Sequence, residues 1–417
     1  MKILLLNISG RFGSTGKIVN DLRESLLMKG HEVIVVYGHV DIVEDEGFIQ
    51  IGKPLEAKIF SQFVKLGRPM YKGNPFAFRR LKKVIDYFGP DIVHVHCING
   101  LFCNIYRLFE YLAFNSIKTV ITHHAEFFYT GSCGYSFDCL KYSSSQCLDC
   151  EKKIKSTGNL FWADPNRAWS RMYEIIQLFN YNNLIFTSVS PWVEKKALLS
   201  PIVNKYRHYV VMNGIHTDIF FRYNSYDSFI ELVNKRLDLR ANAKKVLHVT
   251  HEFSANDTDH IKGGGYVTLL AKCLPQLEFI VVASVLIDTT NLPSNLHIWG
   301  TAESSSELSQ LYGASDISII ASKRETFSMI VAESLCCGTP IAGFKAGGPE
   351  TIALSDYGRF VEYGDVGAFK ESILELLNSN FDRNCISELA REQYSKERMS
   401  EDFVRIYSVL LSSNEPQ

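Results

Sequence analysis

The chain has 417 residues, 44 Lys and Arg against 45 Asp and Glu, a formal net charge of −1 and a hydrophobic fraction of 46%. That length gives room for two domains of about 200 residues, each with its own core; the charge balance excludes a general nucleic-acid binder, and no apolar run approaches the ~20 residues that span a bilayer. Ten cysteines behind an N-terminus, MKILLLNISG, that reads as a first strand rather than a cleaved leader point to reduced thiols and a cytoplasmic protein.

Residues 2–8 predict a buried strand, followed by the glycine-rich turn SGRFGSTGK (9–17) and a helix over 18–29. The turn is not a nucleotide-triphosphate loop, which needs glycine where Arg11 stands and Ser or Thr where Ile18 stands. Glycine at a helix start still lets the backbone approach phosphate or sugar, so Gly13 and Gly16 are candidate ligand contacts, with turn duty as the alternative. After a second strand at 32–37, residues 53–83 turn basic and aromatic. Lys58, Lys65, Arg68, Lys72, Arg79, Arg80, Lys82 and Lys83 stand among Phe60, Phe63, Tyr71, Phe76 and Phe78, opposed only by Glu56. This is either a solvated helical face over core aromatics or a surface for anionic lipid or a pyrophosphate-bearing acceptor.

GPDIVHVHCING (89–100) reads as turn, strand and loop, with His94 and His96 on one face as packed side chains. A strand at 119–122 ends at His123-His124-Ala125-Glu126. Cys133, Cys139, Cys147 and Cys150 then follow as C-x5-C-x7-C-x2-C in a Gly/Ser-rich insert (131–152). Four thiolates around a loop with little core of its own fit a structural zinc site, with unliganded thiols and disulfides as the alternatives. A strand at 184–190, a helix at 193–199 and the segment VVMNGIHTDIF (210–220) lead to a mixed linker and surface helix over 224–245.

Residues 245–251 restart the parallel-sheet pattern, and Lys262-Gly263-Gly264-Gly265 opens a helix over 266–273. A lysine beside a glycine-rich helix start suits a pyrophosphate, because an ammonium and free amides share its charge. Asp257-Thr258-Asp259 lacks the preceding hydrophobic strand of a metal-holding D-x-D pair and reads as loop acid. Strands at 279–283 and 296–299 and a helix at 305–314 enter the segment SDISIIASKRETFSMIVAESLCCGTPIAGFKAGGPET (315–351). Its cadence is strand, polar loop, helix over 328–337 closed by Gly338, a second strand, then Gly347-Gly348-Pro349-Glu350 into another helix. Glu325 in the loop and Glu333 in the helix can face one ligand at the strand's carboxyl end. The amides of Thr326, Phe327 and Ser328 lie where the helix begins and its dipole gathers about half a positive charge, a seat for a diphosphate. Residues 386–411 close the chain as an amphipathic helix.

The string ETFSMIVAESLCCGTPI resembles the E-x7-E signature and following helix of the retaining GT-B glycosyltransferases of family 4, the glycosyl transferases group 1. PDIVHVH (90–96), NGIHTDIF (213–220) and the GG-x-E-like step at 347–350 are similar to further stretches of that family, and the resemblance spans nearly all of the chain except the cysteine insert and the basic segment. It implies two doubly wound parallel α/β, Rossmann-like domains across a cleft: 1–214 on the acceptor side, 215–395 for the nucleotide sugar, and 396–417 as a terminal helix returning to the first domain.

The resemblance also assigns roles. Glu325 would contact the donor sugar, the amides of Thr326, Phe327 and Ser328 its phosphates, and Glu333 the nucleotide ribose. Lys262 would neutralise the leaving diphosphate, with His251 where the family usually offers an arginine. His124 would touch the sugar hydroxyls, with Ala125 in place of a frequent Asp and Glu126 as a candidate substitute. The implied activity is retaining, front-face transfer of a hexosyl-type sugar from a nucleoside-diphosphate sugar to a hydroxyl acceptor, without a catalytic metal. The implied acceptor is a lipid-linked surface oligosaccharide of O-antigen, capsule or exopolysaccharide type, met at the inner face of the cytoplasmic membrane. The rival readings are a GT-B nucleotide-sugar epimerase or phosphorylase, and a non-catalytic nucleotide-sugar-binding protein.

Overall fold

The computed structural model describes residues 1–38, 41–66, 70–99, 101–144, 147–154, 160 and 164–413; Arg68 of the basic segment lies outside them. The chain divides into two compact units, Met1–Gly214 together with Met399–Gln417, and Ile215–Arg398. Each is built on one parallel sheet.

In the first unit the strands are β1 (Lys2–Asn7), β2 (Glu32–Tyr37), β3 (Phe48–Gln50), β4 (Ile92–Val95), β5 (Thr119–His123), β6 (Leu184–Ser188) and β7 (Arg207–Val210). They lie in the order 3-2-1-4-5-6-7, every pair parallel. Strands covered by helices on both faces need apolar residues in continuous runs, and Ile3, Leu4, Leu5 and Leu6 of β1 are all fully buried. The second unit repeats the plan with β8 (Lys245–Ser254), β9 (Glu278–Ile287), β10 (Leu296–Gly300), β11 (Ile317–Ile320), β12 (Ile341–Phe344) and β13 (Gly358–Val361) in the order 10-9-8-11-12-13. Its core packs Phe253, Phe279, Ile319, Phe344 and Phe369 between sheet and helices, each worth about 1.5–3 kcal/mol of burial. In both sheets the order reverses beside the first strand, between β1 and β4 and between β8 and β11. Loops leaving the carboxyl ends there diverge and leave a crevice.

The structure corrects several boundaries. The first helix starts at Gly13, not at residue 18, and runs to Met28, so both candidate glycines lie in its first turn. The expected single helix over 386–411 is two, Arg383–Tyr394 and Lys396–Ser412. Ser395 breaks them with ψ 146° and pairs with Ile215 instead of continuing the helix. The second of these helices packs on the first unit: Gly214 N–H donates to Met399 Sδ at 3.1 Å, and Tyr407 Oη lies 2.6 Å from His94 Nδ1.

Candidate active site

Because β8 and β11 are neighbours at the reversal of the second sheet, the loops after them run side by side. Lys323 N–H donates to Ile261 O at 2.8 Å. A Cβ on Gly263 would stand 2.0 Å from Ala321 O, and its φ is +69°, so only glycine permits this approach. From the next loop position back, Lys262 reaches Glu325, Nζ to Oε1 2.7 Å. Glu325 is itself fixed, its N–H donating to Ala346 O at 3.0 Å and its carbonyl accepting from Gly348 N–H at 2.8 Å. The cation and the carboxylate thus stand on a frame of three loops, after β8, β11 and β12. Their side chains are 32% and 18% exposed, open enough to receive a ligand.

Thr326, Phe327 and Ser328 lead from that pair into the helix Met329–Cys336, whose N-cap residue Ser328 makes no side-chain capping bond. Ser328 holds φ +85° and ψ +95°, a strained combination for a residue with a Cβ. Its Oγ is buried and has no hydrogen-bond partner. Glu333, more than a turn into the helix, accepts from the Tyr312 hydroxyl at 3.1 Å. Glu350 accepts from Ala346 N–H at 3.0 Å and Gly347 N–H at 2.9 Å; burial raises its pKa, with its backbone donors and the charge of Arg324 acting against that.

Two histidines stand near this loop. His251 is exposed on β8, and no hydrogen bond or ion pair among the described residues joins it to Lys262 or Glu325. His260 instead accepts from Lys262 N–H at 3.3 Å and lies 2.9 Å from Glu252. His248, buried on β8, is brought down to about 4, first by burial and to a lesser degree by the charge of Lys262. Sequence reading passed over His260, Tyr312 and Arg324. Tyr312 arrives from a helix 21 residues away from its partner, a juxtaposition that no local spacing announces.

In the first unit, β4 and β5 bring four histidines together. His94 Nε2 lies 2.7 Å from Thr122 Oγ1, which meets Thr187 Oγ1 at 2.6 Å. The rings of His94 and His96 are 3.9 Å apart, and Phe403 packs on both. His96 Nδ1 lies 3.0 Å from His124 Nε2. Burial lowers His94, His96 and His123 well below the ordinary imidazole range and brings His124 down to about 4. All four rings are therefore neutral at pH 7. In the glycine loop, the Asp41 carboxylate accepts from the amides of Gly10, Arg11 and Phe12 at 2.7, 2.7 and 3.0 Å. A Cβ on Gly16 would come within 2.7 Å of the Arg11 carbonyl carbon, whereas Gly13 has open space and φ +72°. Packing accounts for the first glycine and backbone conformation for the second.

Residues 15–219 match the family model described as Glycosyltransferase Family 4, and residues 282–393 the one described as Glycosyl transferases group 1. The chain belongs to glycosyltransferase family 4. N-acetyl-alpha-D-glucosaminyl L-malate synthase of Bacillus anthracis is 30% identical over 104 residues, covering 25% of this chain and 27% of that protein; the match spans about a quarter of that curated relative. Sucrose-phosphate synthase of Thermosynechococcus elongatus has the same fold at TM-score 0.65 and 16% identity, over 99% of both chains. Anabaena HepE in complex with UDP matches at TM-score 0.63 and 15% identity, over 98% of this chain and 100% of that one. The two parallel-sheet units are those of the GT-B fold.

In this family 4 chain the cysteine insert is anchored by buried side chains from neighbouring elements. Among the described residues Cys133, Cys139, Cys147 and Cys150 form no disulfide. Burial first, then the neighbouring thiols of Cys133, Cys139 and Cys150, pushes Cys147 up to about 12. Among the described residues no group of three or more His, Cys, Asp or Glu is placed to hold a metal ion; residues 145 and 146 of the insert lie outside the described set. The insert has anchors of its own. Tyr71 Oη donates to Ser132 O and Trp169 Nε1 to Tyr142 O, both at 3.0 Å. Glu126, fully buried, accepts from Ser136 Oγ and lies 3.5 Å from Lys196 Nζ, which donates to Phe137 O at 2.9 Å. Glu126 is thus a clasp for the insert and not a stand-in for a substrate carboxylate.

Proposed function

We propose that this chain transfers a sugar from a nucleoside-diphosphate sugar to a hydroxyl acceptor with retention at the anomeric carbon. The observation that carries the reading is the Lys262–Glu325 pair at 2.7 Å, set beside a helix N-terminus whose N-cap side chain makes no capping bond. A lysine and a helix dipole aimed at one point stabilise charge as it develops on a departing diphosphate, and being fixed beforehand they cost no reorganisation. Lys262 takes the phosphates with the amides of Thr326, Phe327 and Ser328, Glu325 a hydroxyl of the transferred sugar, and Glu333, oriented by Tyr312, the ribose. His124 is proposed as a substrate contact in the first unit. With Glu126 committed to the insert and Glu325 to Lys262, a front-face displacement without a covalent sugar–enzyme intermediate is the preferred course.

The acceptor is proposed to be lipid-linked, met at an anionic membrane surface. Supporting this, the helix Pro54–Lys65 exposes Leu55 (69%), Ile59 (47%) and Phe63 (48%) at every fourth position, with Lys58 and Lys65 beside them. An apolar stripe fringed by lysines suits an interface where apolar side chains enter and ammonium groups meet anionic headgroups. Among the described residues no helix is long and apolar enough to cross a membrane. The test is release of free nucleoside diphosphate from a panel of nucleotide sugars, with and without a polyprenyl-linked glycan acceptor. Release that requires acceptor supports transfer; release or isomerised sugar without acceptor supports an epimerase or hydrolase and rejects it.

A further inference from the structure

We infer that His96 is a positioning residue that donates its Nδ1 proton to Nε2 of His124 and so holds His124 in the Nδ1–H tautomer. The inference rests on the proposed role of His124 as a substrate contact, and it fixes what that contact is: an N–H offered through Nδ1.

The argument is one of proton placement. His96 Nδ1 and His124 Nε2 lie 3.0 Å apart, His96 fully buried and His124 partly so, both rings neutral, so one proton occupies the line between them. If it belonged to His124, His96 would carry its own proton on Nε2. That atom is buried and has no hydrogen-bond partner among the described residues. A buried N–H left without an acceptor is rarer and costlier than a lone pair left without a donor. The proton therefore sits on His96 Nδ1, and Nε2 is the bare nitrogen. His94 leaves no second route, since its Nδ1 is engaged with Tyr407 Oη at 2.6 Å and its Nε2 with Thr122 Oγ1 at 2.7 Å. The same ring holds His96 in plane, with centroids 3.9 Å apart, and Phe403 lies against both at 4.7 and 6.4 Å. His96 is thus fixed in orientation by the rings of His94 and Phe403 packed on it and in protonation by the missing partner, and it passes both to His124.

The test is 15N NMR of the ring nitrogens in full-length protein with labelled histidine, for the native chain, His96→Asn and His96→Leu. Asparagine places an amide N–H near the position of Nδ1; leucine removes the donor. The expected spectrum has His124 protonated on Nδ1 in the native chain and in His96→Asn, and shifted toward Nε2–H in His96→Leu. In the transfer assay, kcat of His96→Leu falls on the order of 10–100-fold, the scale at which partners that orient a histidine act, while KM changes little and His96→Asn recovers most of the loss. A native His124 protonated on Nε2, an unchanged His124 spectrum in His96→Leu, or equal losses in both variants overturns the inference. The native spectrum decides even if His96→Leu does not fold. Should the spectra come out as expected while no variant, nor the native chain, transfers sugar, it is the transferase reading that fails.

Discussion

A serine held at φ +85° with a buried, unpartnered hydroxyl stores strain where the helix Met329–Cys336 begins. Ser328→Gly removes the Cβ that makes this backbone costly, so it is expected to raise stability by on the order of 1 kcal/mol, seen as a higher melting temperature; a lower one would mean that the serine is not strained. Lys262 behaves in the opposite way. Its pair with Glu325 is partly exposed, and such pairs contribute about 0–1 kcal/mol. Lys262→Ala should leave the melting temperature nearly unchanged while transfer falls by about 100–1,000-fold, as expected for loss of a preorganised charge. Equal loss of stability and activity would assign the lysine to the fold. At this scale the sequence named Lys262, Glu325 and Glu333 from their local settings beside glycines and a helix start. It did not single out His260, whose ring is placed by the local course of the loop, accepting from the Lys262 N–H and lying against Glu252.

Among the elements, β4 and β5 carry the sharpest pH consequence. His94, His96, His123 and His124 are depressed in the fold, chiefly by burial, so between the unfolded imidazole pKa and the folded one the unfolded chain binds more protons. Their contribution is fully present above about pH 6.5 and is lost as the pH falls below it, at a slope approaching ~1.4 kcal/mol per pH unit for each ring. Melting temperatures measured from pH 8 to 5 should stay level and then drop below about pH 6.5; a flat profile down to pH 5 would contradict the neutral cluster. The helix Pro54–Lys65 offers a second test. Leu55→Glu with Ile59→Glu should abolish sedimentation with anionic vesicles at unchanged melting temperature, since neither side chain is buried; Arg80 is a poorer probe because it is paired with Glu56. Undiminished sedimentation would sink the membrane proposal. The strands with continuous buried apolar runs were legible; β3, β7 and β13 were not, because most of their residues are only partly buried and they carry no such run. The break at Ser395 carries no glycine or proline, and its cause is a pairing with Ile215, 180 residues earlier in the chain.

For the whole molecule, two parallel α/β units could be read from the alternation of apolar runs and glycine-punctuated helices, since a parallel sheet needs a crossover after each strand. The anchors of the cysteine insert, Glu126, Lys196 and Trp169, were not legible, because spacing reports ligand types and says nothing of side chains brought in from other elements. The proposed activity stands on the second unit holding a nucleoside diphosphate against Lys262 and the helix Met329–Cys336. Calorimetric titration of UDP, GDP and ADP into the native chain and into Lys262→Ala tests this most directly. The account predicts that one nucleotide binds the native chain and that Lys262→Ala weakens it by about tenfold or more, ~1.4 kcal/mol or greater. Equal affinity in the two proteins, or no binding of any of the three to the native chain, would contradict it.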